Sequence, residues 1–160
     1  MVLYRVSCDT CSYKKRLSDL PHCYVLDGDI KLDFTTRWAW CCGCTEVVDA
    51  EWFCSEEEEM RLDEHLLEND LGIPEYREYL EQQSVLRRQW RKTRQSPPHC
   101  LHCGSTEFLQ FQISRQTGYY EPLPHPGCKG QLILEATGSG RPAICLLYTP
   151  EGAFLVKRDL

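Results

Sequence analysis

No stretch of this 160-residue chain holds the about 18 apolar residues that a membrane-crossing helix needs, so no membrane role is expected. Residues 1–20 lack the apolar run of a secretory signal, which points to the cytoplasm and to reduced cysteines rather than a disulfide scaffold. A basic excess is also missing: 18 Lys and Arg face 24 Asp and Glu, a formal charge of -6. That sign opposes broad, non-specific attraction to nucleic acid or anionic lipid. The sequence has no His-Glu-x-x-His pattern, no phosphate-cradling glycine loop and no nucleophile elbow. Neither an enzymatic activity nor a small-molecule substrate is therefore expected.

Cysteine is abundant instead, at 11 residues. Most lie in four short knuckles: Cys8-Asp9-Thr10-Cys11, Cys41-Cys42-Gly43-Cys44, Cys100-Leu101-His102-Cys103 and His125-Pro126-Gly127-Cys128. Two donors three positions apart let one tight turn present both to a single ion. Read along the chain, the first knuckle is answered by the second and the third by the fourth. This gives a four-cysteine set and a set of three cysteines with one histidine, both donor combinations of closed, tetrahedral structural zinc. Two zinc ions per chain are expected. Ionising seven thiols and adding two divalent ions would bring the charge to about -9. His99, immediately before Cys100, competes with His125 for the fourth position, but His125 repeats the knuckle spacing and Pro126-Gly127 suits a tight turn.

On these eight residues the chain resembles the zinc-ribbon superfamily over residues 1–54 and 99–160, leaving the middle unexplained. The small residue usual after a knuckle stands at Gly104 but is replaced by Ser12 and Thr45. The resemblance implies structural zinc within small β-sheets and leaves activity open. The 29 residues between Cys11 and Cys41 are similar in spacing to rubredoxins, in which four thiolates hold one redox iron. Iron at the four-cysteine site, with electron transfer, is thus an alternative to zinc.

The expected fold class is α+β: two small antiparallel zinc-ribbon sheets joined by a helical hairpin. Residues 1–54 read as an N-terminal ribbon with strands at Val2–Ser7, Tyr13–Leu17, Thr35–Trp40 and Glu46–Phe53, rich in aromatic and β-branched residues. Residues 55–96 read as an αα-hairpin. Ser55 and Glu58 form a capping box, and Met60, Leu66, Leu67 and Leu71 give a modest apolar face before Gly72. Pro74 opens a second helix with a stripe of Tyr76, Tyr79, Leu80, Leu86 and Trp90, diluted by Gln83. Residues 97–160 read as a second ribbon with a β-hairpin extension, its strands at Glu107–Ser114, Gln131–Ala136, Ala143–Tyr148 and Ala153–Lys157.

Two surfaces suggest contacts. Lys14, Lys15 and Arg16, with Trp38 and Trp40, place cations beside rings. Arg87, Arg88, Arg91, Lys92 and Arg94 crowd the end of the second helix, more charge than a helix dipole needs. The function expected is a non-enzymatic, intracellular zinc-binding interaction or adaptor protein with a protein partner. A nucleic-acid-binding or transcription-associated protein is the alternative. Cys23, Cys42, Cys54 and Cys145 are left over, and spare thiols of this kind are usually small buried side chains.

Overall fold

The computed structural model describes all residues except 69–71, 115, 143 and 160, and leaves out the side chains of Leu62 and Leu67. Eleven strands and two α-helices are seen among the described residues: β1 (Val2–Cys8), β2 (Lys14–Ser18), β3 (His22–Val25), β4 (Lys31–Asp33), β5 (Thr36–Cys41), β6 (Glu46–Glu51), α1 (Glu56–Glu68), α2 (Pro74–Thr93), β7 (Phe108–Gln110), β8 (Leu123–Pro124), β9 (Gln131–Ser139), β10 (Ile144–Tyr148) and β11 (Phe154–Asp159). The fold is α+β, but its strands form three sheets rather than two small ribbons.

Sheet order explains the difference. The first sheet runs β2-β1-β9-β8, the second β11-β10-β3-β4 and the third β6-β5-β7. Each sheet therefore mixes strands from residues 1–54 with strands from residues 97–160. β1 pairs antiparallel with β9 more than 120 positions away, with Cys8 opposite Leu132. β10 pairs parallel with β3, so the second sheet is mixed. The strands on either side of Gly138-Ser139-Gly140 do not pair with each other: β9 continues to Ser139 against β1, while β10 joins a different sheet. Period and composition mark where strands occur; they do not say which strands pair.

The helices follow their local signals more closely. Ser55 Oγ accepts from the Glu58 amide at 3.2 Å while Glu58 Oε2 accepts from the Ser55 amide at 3.3 Å, the reciprocal bonds of a capping box. Pro74 sits in the first turn of α2, where its missing N–H costs nothing. The packed face of α2 differs from the expected stripe, since Tyr76 and Tyr79 are exposed and Gln83, Ser84 and Trp90 are buried. Gln83 is a structural contact: its amide donates to the Lys31 carbonyl at 3.0 Å and accepts from the Asp33 amide at 2.8 Å, satisfying the edge strand β4. On α1, Met60 and Leu66 are exposed, while the Leu67 side chain and Leu71, and the strand residue Ala143, lie outside the described residues.

Two apolar centres hold these layers. Val6, Leu17, Trp38, Trp40, Val47, Phe111, Leu132 and Leu134 pack between the first and third sheets. Tyr24, Leu32, Trp90 and Tyr148 join α2 to the second sheet, with the Tyr24 ring stacked between Phe34 at 3.8 Å and Trp90 at 4.6 Å. Such pairs add about 0.5–1.5 kcal/mol each beyond the area they bury.

Candidate metal centres

The strand register brings the tips of two hairpins together at one end of the first sheet. β1 and β2 are joined by the turn carrying Cys11, and β8 and β9 by the turn carrying His125 and Cys128. Asp9 stitches the tips: its amide donates to the Gln131 carbonyl at 3.1 Å and its carboxylate accepts from the Gln131 amide at 2.8 Å. Gly130 is required there, since a Cβ would stand 2.5 Å from the Asp9 carboxylate and 2.6 Å from Thr10. In the third sheet the β5–β6 turn carries Cys44, and the loop before β7 carries Cys100 and Cys103. Thr45 (φ 55°) and Gly104 (φ 74°) both take left-handed conformations directly after a knuckle, and their amides close it onto the Cys41 and Cys100 carbonyls at 2.8 Å.

Two four-donor clusters result: Cys8, Cys11, His125 and Cys128, and Cys41, Cys44, Cys100 and Cys103, with donor atoms within 4.8 Å of one another. The eight expected ligands are therefore brought together, but paired crosswise. The first knuckle joins the fourth and the second joins the third, where reading along the chain joins the first to the second and the third to the fourth. The cause is the β1–β9 and β5–β7 pairing, which outranks sequence proximity. The 29-residue gap between Cys11 and Cys41 consequently spans two different clusters, which removes the rubredoxin-like spacing as an argument for iron. His99 lies in neither cluster; it faces Glu51 and Gly152.

Donor spacing tests whether a metal fits. A tetrahedral ion with bonds of about 2.3 Å to sulfur separates its sulfurs by about 3.8 Å. Cys8 and Cys128 sulfurs lie 3.5 Å apart, Cys41 and Cys103 3.5 Å, and Cys44 and Cys100 3.7 Å. His125 Nδ1 stands 3.5 Å from Cys11 Sγ and 3.2 Å from Cys128 Sγ, so that nitrogen is the donor. These distances suit a tetrahedral ion and far exceed a disulfide bond, and all eleven cysteines are free thiols.

Backbone amides point at the sulfurs. Thr10, Cys44, His102 and Gly130 donate to Cys8, Cys41, Cys100 and Cys128 at 3.3–3.4 Å. Burial alone would raise the Cys8 thiol, but the Thr10 and Cys11 amides and the neighbouring donors bring it down to about 6. At Cys100, burial wins and the thiol is pushed up to about 11. Cys103 is lowered, chiefly by the Ser105 backbone. Donors crowded within 4.8 Å of one another suit a divalent cation that replaces the thiol protons.

The expected contact surfaces divide sharply. Trp38 and Trp40 are buried in the core and offer no ring to a partner. Lys15 turns inward, pairing with Glu46 at 2.7 Å and donating to the Val47 carbonyl at 2.8 Å, while Lys14 and Arg16 on the other face of β2 are exposed. Of the cations ending α2, Arg87 pairs with Asp63 at 2.9 Å, Arg91 with Glu59 at 2.8 Å and Arg94 with Glu51 at 2.7 Å. Only Arg88 and Lys92 in that run are exposed. The density that looked excessive for a helix end is spent on holding α2 to α1 and β6.

The leftover cysteines make no third cluster among the described residues. Cys23 and Cys145 lie buried with sulfurs 3.2 Å apart, Cys23 donating to Asp33 at 3.1 Å, and burial pushes the Cys23 thiol up. Cys42 is exposed within its knuckle and Cys54 is half-buried. Among the described residues, no helix is long and apolar enough to cross a membrane. Comparison with protein-family models, curated proteins and solved structures finds no match to this chain.

Proposed function

We propose that this protein is a non-enzymatic, intracellular interaction module held by two structural zinc ions. The observation that carries the reading is the pair of four-donor clusters, each supplying a full tetrahedral set from the protein itself. A closed site leaves no position for substrate or activated water, so the ions' task is to hold the fold. Structural zinc contributes about 10–16 kcal/mol in zinc-finger peptides near neutral pH, enough to fix the small first and third sheets that carry the donors. The three-cysteine, one-histidine set favours zinc over a redox iron at that site.

Exposed cations at Lys14 and Arg16 on β2, and at Arg88 and Lys92 on α2, are the contacts left after the internal ion pairs are formed. On a chain of net charge -6, such isolated cations suit an acidic protein surface better than a polyanion. Burial of Trp38 and Trp40 takes away the rings that the nucleic-acid reading needed. The test compares wild type with a variant carrying glutamine at those four positions, after zinc content and circular dichroism show both folded. Capture of partners from lysate should weaken in the variant and fall with salt. Identical capture would remove these cations from the interface.

A further inference from the structure

A cleft of about 670 Å³ opens between α1 and α2 on one side and β3, β4, β5 and the segment after β6 on the other. Its size lies inside the range of about 300–1,000 Å³ typical of small-ligand sites. It shares no residue with either metal cluster. Aromatic rings form part of its walls, including Phe34, Trp52, Phe53 and Tyr120. What sets it apart from a fold crevice is a pair of buried acceptors lacking donors. His22 Nε2 and Glu59 Oε1 belong to residues only 4% exposed, both line the cleft, and neither atom has a hydrogen-bond partner. Native interiors rarely leave such atoms unsatisfied.

The His22 ring is a neutral acceptor. Burial pushes His22 down to about 4, so the ring is neutral near pH 7; its backbone bond to Leu20 occupies the other nitrogen. Nε2 thus carries a lone pair. The nearest carboxylate oxygen, Asp49 Oδ2, is 3.9 Å away, beyond hydrogen-bond reach. Glu59 gives Oε2 to Arg91 at 2.8 Å, while Oε1 stands 3.7 Å from Arg87 Nε. One further lining group has spare capacity of the opposite kind. Arg37 lies over the Trp52 ring at 3.9 Å and has no carboxylate partner among the described residues.

We propose that this cleft binds a flat, uncharged heteroaromatic molecule of the nucleobase or nucleoside class. Its N–H donors satisfy His22 Nε2 and Glu59 Oε1, and its carbonyl or ring-nitrogen acceptors face Arg37. Flatness follows from the aromatic walls, and the donor edge follows from the two acceptors. The balance of Arg37, Arg87 and Arg91 against Asp19 and Glu59 among the lining residues disfavours both a polyanion and a bare cation. This goes beyond the metal-held interaction module and does not depend on it.

Calorimetric titration of the zinc-loaded full chain tests the proposal, with guanosine, adenosine and caffeine as probes. Caffeine has the flat ring but no N–H donor. At least one nucleoside should bind saturably and about tenfold or more tighter than caffeine, since leaving a buried acceptor unpaired forfeits that much. Glu59→Gln and His22→Phe should each weaken the nucleoside by a similar factor while zinc content and thermal unfolding confirm the fold. The Phe variant keeps the ring packing against Tyr148 and Phe34. Equal affinity for caffeine and nucleoside would overturn the donor argument and leave a merely apolar groove. No saturable heat from either nucleoside at millimolar concentration would overturn the site, whatever the variants do.

Discussion

Trp40 lies edge-on to His125, with ring centroids 4.6 Å apart and planes at 70°. Trp40 directly precedes Cys41 in one metal cluster, and His125 is a donor in the other. Tyr13 packs on His125 from 5.3 Å and also accepts the Val47 amide on β6 at 2.8 Å. The two centres are therefore linked through the packing of Trp40 and Tyr13 on His125.

Replacing Trp40 with alanine should cost about 3–5 kcal/mol of stability, the usual range for removing a buried tryptophan. Both ions should then be released faster to a competing chelator, followed with a zinc-sensitive dye. A variant that loses stability but keeps one release phase at the wild-type rate would show that the core does not couple the centres.

Among the described residues, Arg94 and Glu51 form the most buried ion pair, with side chains 2% and 0% exposed. Two parallel bonds of 2.9 and 2.7 Å join them, and Glu51 also accepts from the Tyr24 hydroxyl and from the His99 amide at 3.1 Å. Arg94→Ala should destabilise by about 3–5 kcal/mol, because it leaves a carboxylate buried without its partner. Arg94→Lys should recover little, since an ammonium cannot supply the fork. Chemical denaturation reads both. A loss below about 1 kcal/mol would return Arg94 to the surface role its sequence context suggested.

Asp49 gives a pH signature. Burial, with repulsion from Asp19, raises its carboxyl to about 7. A carboxyl raised above its unfolded value of about 3.9 contributes nothing below that pH; its penalty grows as pH rises towards 7 and is constant above. His22, 3.9 Å away and pushed down to about 4, acts oppositely: its stabilising contribution is present above its unfolded value of about 6.5 and is lost as pH falls to about 4. The two partly cancel in the wild type. Asp49→Asn should therefore melt higher than wild type near pH 8, with the gain shrinking to nothing near pH 4 in thermal scans followed by circular dichroism. Equal melting temperatures at pH 8 would refute the assignment.

Local features were legible in the sequence. The capping box at Ser55, Pro74 at the start of α2 and eight strands near their observed bounds follow from chemistry within a few residues. The donor types at the eight cluster positions were legible for the same reason. β3, β4 and β8 were missed because each is four residues or fewer and lies among prolines, glycines or aspartates that read as turns. The crossed pairing was invisible because it depends on β1 meeting β9, a choice between surfaces more than 100 residues apart. Arg91, Arg94 and Trp38 looked like a contact surface because composition cannot show that Glu59, Glu51 and Tyr4 already face them.

Metal content of two double variants tests the crossed pairing directly. Cys11→Ser with Cys128→Ser removes two donors from one cluster, so the protein should keep one zinc ion per chain by elemental analysis. Cys11→Ser with Cys41→Ser strikes both clusters, so it should keep none. The reverse outcome, one ion retained in the second variant and none in the first, would mean that the first knuckle shares its ion with the second and would contradict the account.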